Sequence, residues 1–208
     1  MDKAQALRDL YADLEKTAPS LPLATKASDI VPGEGNPDAD IFFIGEAPGY
    51  HESVQRRPFV GVSGKFLRKT MTEVGLNEED VYIGNIVKVR PPDNRDPSPA
   101  EILAYKQYLD QEIEIIEPLL IVTLGRFSMA KFLPDVKISQ VHGRLHKVVW
   151  NQKALFVFPM YHPAAALRGT KMRESFATDM KKVPKVLKWV QQQQETIALE
   201  SDVKDILL

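Results

Sequence analysis

The chain has 208 residues, 44% of them hydrophobic, which is enough for one buried core and too few for two ordinary domains. Its formal net charge of -1 supplies no global attraction for nucleic acid, so any DNA contact has to come from local clusters of Lys and Arg. The absence of cysteine excludes disulfides, thiolate nucleophiles and Cys-ligated zinc or iron, and the four histidines show no metal-ligand pairing, so no structural metal is expected.

The first residues carry Leu7, Leu10, Tyr11 and Leu14 at helical spacing, which predicts an amphipathic helix rather than a signal peptide. No apolar run reaches the length needed to span a bilayer, and the chain is expected inside the cell, as a monomer. A Pro-rich stretch from Pro19 to Pro37 leads to a buried strand, Ile41 to Ile44, that breaks at Gly45-Glu46-Ala47-Pro48-Gly49. From Gly64, the residues Leu67, Met71 and Val74 mark a helix that ends at Gly75, and a second strand covers Val81 to Val87. The segment from Arg90 to Pro97 is a stiff loop, because proline lacks the backbone donor and restricts its predecessor. Ser98-Pro99-Ala100-Glu101 reads as a capping box opening a helix whose buried stripe is Ile102, Tyr105, Leu109, Ile113 and Ile116. Leu119 to Leu124 is a third strand, running through Gly125 into a short helix over Phe127 to Leu133, and Leu155 to Met160 is a fourth. The last part has Phe176, Met180, Val183, Leu187 and Val190 at helical spacing, with Pro184 either kinking the helix or restarting it. Residues 195–208 read as a tail that could dock a partner protein or fold back.

Strands with continuous apolar runs, separated by helices, imply an α/β fold: three layers, with a central, mostly parallel sheet of four strands. Residues 1–208 read as a single domain. Such sheets bind ligands beyond the carboxyl ends of their strands, and here those ends carry Gly45-Glu46, Asn85 and Tyr161-His162-Pro163.

Five motifs occur in order: Gly45-Glu46-Ala47-Pro48-Gly49; Arg57-Pro58-Phe59-Val60-Gly61 with Gly64; Asn85-Ile86-Val87-Lys88; Arg90-Pro91-Pro92 with Asn94-Arg95; and His162-Pro163-Ala164. Together they resemble the family 4 uracil-DNA glycosylases, from about Gly33 to about Arg168. The resemblance implies the uracil-DNA glycosylase fold, a substrate of uracil-containing DNA and hydrolysis of the N-glycosidic bond at the start of base excision repair. It also implies a 4Fe-4S cluster held by four cysteines, but those positions are here Ala18, Leu21, Val89 and Tyr105, so no cofactor is expected and a packed apolar cluster is expected in its place. Three further departures are Arg56, where the family has Gly; Glu52-Ser53, which keeps one acid of an expected pair; and a short Ala165 to Thr170 segment.

The chemistry needs the base out of the stack, a tolerated cationic sugar and a stabilised uracil anion. His162 suits the last task as a donor to the uracil O2, although a lone His at a strand end is more often satisfied by backbone. Asn85 offers a donor and an acceptor to the O4 and N3–H edge. Phe59 offers a stacking face, with ordinary core packing as its equal alternative. Gly45, Ala47, Pro48 and Gly49 form a turn open to the base. Glu46 or Glu52 orients water or steadies the sugar, and the sequence does not choose between them. For DNA, Arg57, Lys88, Arg90 and Arg168 are candidate phosphate contacts, and Leu167 a candidate wedge. No lysine nucleophile is implied, so a monofunctional enzyme is expected. The alternatives are a glycosylase for hypoxanthine or xanthine and a non-catalytic module that binds uracil-containing DNA.

Overall fold

The structure, a computed structural model, describes the backbone of residues 2–207 and the side chains of residues 2–196. In chain order the elements are α1 (Lys3–Thr17), β1 (Glu34–Gly35), β2 (Ile41–Gly45), α2 (Tyr50–Gln55), α3 (Val62–Glu73), β3 (Val81–Asn85) and α4 (Pro99–Ile116). They continue with β4 (Leu120–Leu124), α5 (Arg126–Ala130), α6 (Ile138–Val141), β5 (His146–Trp150), β6 (Lys153–Met160), α7 (Pro163–Ala166), α8 (Thr170–Met180) and α9 (Val183–Leu207).

Local chemistry sets the ends of these elements. Asp2 caps α1 by accepting from the amides of Ala4 and Gln5 at 3.0 and 3.2 Å. The capping box of α4 closes as expected: Ser98 Oγ accepts from Glu101 N at 3.3 Å, and Glu101 accepts from Ser98 N at 2.7 Å. Gly75 ends the α3 region with φ +80, where a Cβ would be strained. Pro184 restarts the chain as a new first turn, since α9 begins at Val183 directly after a turn. The tail that could dock a repair or replication protein, or fold back, has its side chains from residue 197 on outside the described residues.

The sheet has six strands in the order β1-β3-β2-β4-β6-β5. The expectation of four strands is corrected: the four expected ones form the parallel centre, and an antiparallel strand is added at each edge. The sequence hid both edges for physical reasons. The edge strand β1 is two residues long, and β5 alternates half-buried with exposed positions, leaving Val149 open to solvent.

Successive residues of a strand face opposite layers. In β2, Phe42 and Ile44 pack under α1 and α4, while Ile41 and Phe43 pack with Leu67, Met71, Phe176 and Met180 of α3 and α8. The result is the expected three-layer α/β arrangement, with the central strands buried on both faces.

The four positions at which the resemblance implied cysteines share one apolar cluster beneath α1 and α4. Ala18, Val89 and Tyr105 are buried, Leu21 packs against them, and the Tyr105 hydroxyl donates to the Pro22 carbonyl at 2.7 Å. None of these side chains carries a thiolate, the group that holds iron–sulfur clusters, so the residues present do not fit such a cluster there.

Candidate active site

Parallel pairing aligns the carboxyl ends of β2, β3, β4 and β6 on one edge; Gly45, for example, stands opposite Asn85. Beyond that edge the chain encloses a pocket of about 690 Å³, within the range of small-ligand sites. Its wall includes Glu46, Ala47, Pro48, Gly49, Glu52, Phe59, Asn85, His162 and Arg168. Sequence positions more than a hundred residues apart meet there because the strand order brings β6 to the far side of β4 from β2.

The floor is built around Gly45. A Cβ on this residue would lie 2.4 Å from both the Phe59 ring and Asn85 Oδ1, so its missing side chain is what lets the two groups converge. Asn85 is 3% exposed, and its Oδ1 is buried without a hydrogen-bond partner. A buried acceptor left in this state costs roughly 1–3 kcal/mol, a debt that a ligand N–H would cancel. The aromatic ring of Phe59 faces the imidazole of His162 with centroids 5.9 Å apart.

Phe59 is held in the left-handed region, at φ +55, by clamps on either side of it. From one side Arg68 donates Nε–H to the Phe59 carbonyl and Nη2–H to the Pro58 carbonyl, both at 3.0 Å. Arg68 is itself fixed by Glu34 at 2.5 Å and by Glu78. From the other side Glu52 Oε1 accepts from the amides of Val60 and Gly61 at 3.0 and 2.8 Å. Gly64 is obligatory beneath this loop, since its Cβ would fall 2.0 Å from the Phe59 carbonyl carbon.

His162 caps α7. Its Nδ1 accepts from Ala164 N–H at 3.2 Å, which leaves Nε2 to carry the hydrogen in the neutral ring. Burial lowers its pKa to about 4, against a smaller opposing effect of the Glu52 charge, so the ring is neutral at physiological pH. Gly125, at φ +99, brings the backbone after β4 against this ring; a Cβ there would lie 3.2 Å from that of His162.

Glu46 titrates differently from an ordinary carboxyl. Burial, assisted by the negative charge of Asp96, raises it to about 7, with Arg126 acting in the opposite direction. Asp96 and Arg126 form an ion pair at the pocket wall, joining the loop before α4 to the start of α5. Sequence reading missed this pair. The signal was available, since Gly125-Arg126 follows a parallel strand at the same carboxyl edge as the other site residues.

The candidate DNA contacts divide. Arg168 is exposed and lines the pocket. Arg90 is half-buried, with Nε–H donated to Asn94 Oδ1 at 2.8 Å, and Leu167 is half-buried at the end of α7. Arg57 lies off the pocket wall and is engaged by Glu34 at 2.7 and 3.1 Å. Lys88 is a correction: it is fully buried, hydrogen-bonded to the equally buried Glu112, and cannot reach a phosphate. Burial pushes both partners toward their neutral forms, Lys88 down to about 7 and Glu112 up, while the Tyr11 hydroxyl donates to the same carboxyl. The motif position promised a basic side chain, but the chain turns it inward at the end of β3.

Arg56 has its own local explanation. It ends α2 at φ +53, a conformation that favours the Gly of the resembled pattern, and its guanidinium compensates by pairing with Glu15 and donating to the Ile30 carbonyl at 3.0 Å. Among the described residues no group of side chains could hold a metal ion, and no helix is long and apolar enough to cross a membrane.

Fold and site together define an α/β protein whose pocket, at a parallel sheet edge, presents a neutral imidazole donor, an unpaired amide acceptor and an aromatic ring. The uracil DNA glycosylase superfamily model matches residues 32–188, and the chain belongs to that family. It is similar to the type-4 uracil-DNA glycosylase of Saccharolobus solfataricus, with 44% identity over 187 residues, covering 86% of each chain. A type-4 enzyme of Sulfurisphaera tokodaii is 46% identical over 159 residues, 74% of this chain and 72% of that one. A third, from Thermotoga maritima, is 37% identical over 188 residues, covering 88% and 96%.

Proposed function

We propose that this protein removes uracil from DNA by hydrolysing the N-glycosidic bond, as a glycosylase without lyase activity. The observation that carries the reading is the buried, partnerless Oδ1 of Asn85 beside the Phe59 ring. Uracil turned out of the strand stacks on Phe59; its N3–H satisfies Asn85 Oδ1, and the Asn85 amide N–H donates to O4. Cytosine presents the opposite donor and acceptor order on that edge and leaves the Asn85 groups opposed.

As the C1′–N1 bond breaks, its electron pair moves onto the base, and charge accumulates at O2. His162 Nε2–H is the donor we assign to that oxygen: the Ala164 amide occupies Nδ1, so in the neutral ring the hydrogen sits on Nε2. Water adds to C1′ of the cationic sugar, and its proton passes to Glu46. Glu46 is favoured over Glu52 for this step because one Glu52 oxygen is committed to the Val60 and Gly61 amides, whereas Glu46 has a proton affinity near neutrality. Among the described residues no lysine lines the pocket, which favours simple hydrolysis over an imine-forming lyase reaction.

Purified protein is expected to release free uracil from uracil-containing oligonucleotides and to leave thymine in place. A panel carrying uracil, hypoxanthine, xanthine or thymine mismatches defines the base range. Binding to uracil-containing strands with no base released over long incubation would replace the enzyme by a binding module.

A further inference from the structure

Next to the pocket wall stands an exposed aromatic that the proposed reaction does not use. Tyr50 opens α2 directly after Gly49, a wall residue, so its Cα lies about 3.8 Å from that of Gly49. Its side chain is large, yet the residue is 57% exposed. A single exposed apolar residue needs no explanation. Here, however, the ring is braced. The Arg90 guanidinium lies over it at 5.3 Å from the centroid, and the His51 ring stands nearly perpendicular to it, at 76° with centroids 5.5 Å apart. Arg90 is in turn held by Asn94, which lines the pocket together with Pro91. Two loops that wall the pocket, one after β2 and one after β3, thus cooperate to hold an aromatic ring open to solvent at its lip.

We propose that Tyr50 and Arg90 form a stacking subsite for the base adjacent to the flipped uracil on the same strand. The subsite rests on the uracil-DNA reading of the pocket. A phosphodiester tether keeps the neighbouring nucleotide at the rim once its partner has entered. Removing uracil from the stack also leaves that neighbour's π-face without its former contact, and Tyr50 replaces it. Arg90 supplies positive charge beside the phosphate and a cation above the ring, and the brace reduces the rotamer freedom lost on binding. Every base has a π-face, so the subsite is tolerant of sequence.

The test is a binding cycle on short single-stranded oligonucleotides with one central 2′-fluorinated deoxyuridine, which resists cleavage. In matched strands the 5′ or the 3′ neighbour is replaced by a baseless tetrahydrofuran nucleotide. Wild-type protein is expected to lose about 5- to 150-fold in affinity when one of the two neighbours lacks its base. Tyr50→Ala should bind the intact strand as weakly as the wild type binds that baseless strand, with no further loss on removing the base, while Tyr50→Phe behaves as the wild type. Equal penalties in wild type and Tyr50→Ala, or no loss of affinity in Tyr50→Ala, overturn the proposal. Strands with thymidine in place of deoxyuridine read the pocket separately. Equal affinity for the two with neighbour coupling intact breaks the uracil reading alone, and uracil preference without coupling breaks the subsite alone.

Discussion

The pocket at the carboxyl edge and the apolar cluster under α1 and α4 solve opposite problems with the same sheet. In the cluster every group is satisfied: Ala18 and Tyr105 are fully buried, and the Tyr105 hydroxyl has the Pro22 carbonyl. In the pocket the groups are held short of satisfaction, with Asn85 Oδ1 lacking a partner and Glu46 and His162 both displaced from their ordinary pKa values. The cluster region maximises stability, whereas the pocket stores cost that a ligand can recover. The two regions are separated by chemistry rather than by distance: Ala47 lines the pocket and packs against the cluster, yet the four positions without cysteine carry mostly apolar side chains and none of them lines the pocket.

That separation can be broken by mutation at either region. The largest effect is expected for Glu46→Gln, a loss of about 100- to 10,000-fold in kcat at pH 8 if this carboxylate takes the water proton. The pH profile sharpens the point. With a pKa raised to about 7, Glu46 is active only when deprotonated, so wild-type kcat/KM should rise with pH and level off above about 7, and the variant should lose that limb. His162 adds a second fall only below about pH 4, where its ring gains a proton. The stability sign is the reverse. A carboxyl whose folded pKa lies above its unfolded value destabilises the fold as pH rises past the unfolded value, so Glu46→Gln should raise Tm above pH 7 and leave it unchanged below about pH 4.

Tyr105→Ala, on the cluster side, should cost about 3–5 kcal/mol in denaturant unfolding while the folded fraction keeps its kcat. A fall in kcat for fully folded protein would mean the two regions are coupled. His162→Ala should reduce uracil release by about 100- to 1,000-fold with Tm nearly retained, and full activity in folded variant would remove His162 from the mechanism. Arg68→Met removes the donors that hold the Pro58 and Phe59 carbonyls and is expected to lower kcat/KM about tenfold. If it acts through Phe59, its effect should shrink in a Phe59→Leu background. Smallest of all, Tyr105→Phe removes only the hydrogen bond to Pro22, about 1 kcal/mol of stability, and no activity.

Much of the pocket was legible because Glu46, Asn85 and His162 sit in short motifs at strand ends, where a parallel sheet gathers ligand groups, and Phe59 sits in a motif of its own between α2 and α3. Glu46, Phe59, Asn85 and His162 were named from sequence, and all four line one pocket. The burial of Lys88 was not legible, because its partner Glu112 lies on α4 and the sequence around Lys88 offers only a basic residue beside a Pro-rich loop. The Glu34–Arg68 clamp was hidden for the same reason: an arginine on a helix looks solvated until the loop it holds is folded against it.

By itself the sequence determined the central strands, the capped helices and the chemical types available at the sheet edge, since these follow from periodicity, proline and glycine placement and local hydrogen bonding. Only the tertiary structure decided which charges remain free, which are spent inside the protein, and what protonation Glu46 and His162 adopt. Those properties depend on burial and on partners brought from distant parts of the chain, and neither is encoded at the position of the residue itself.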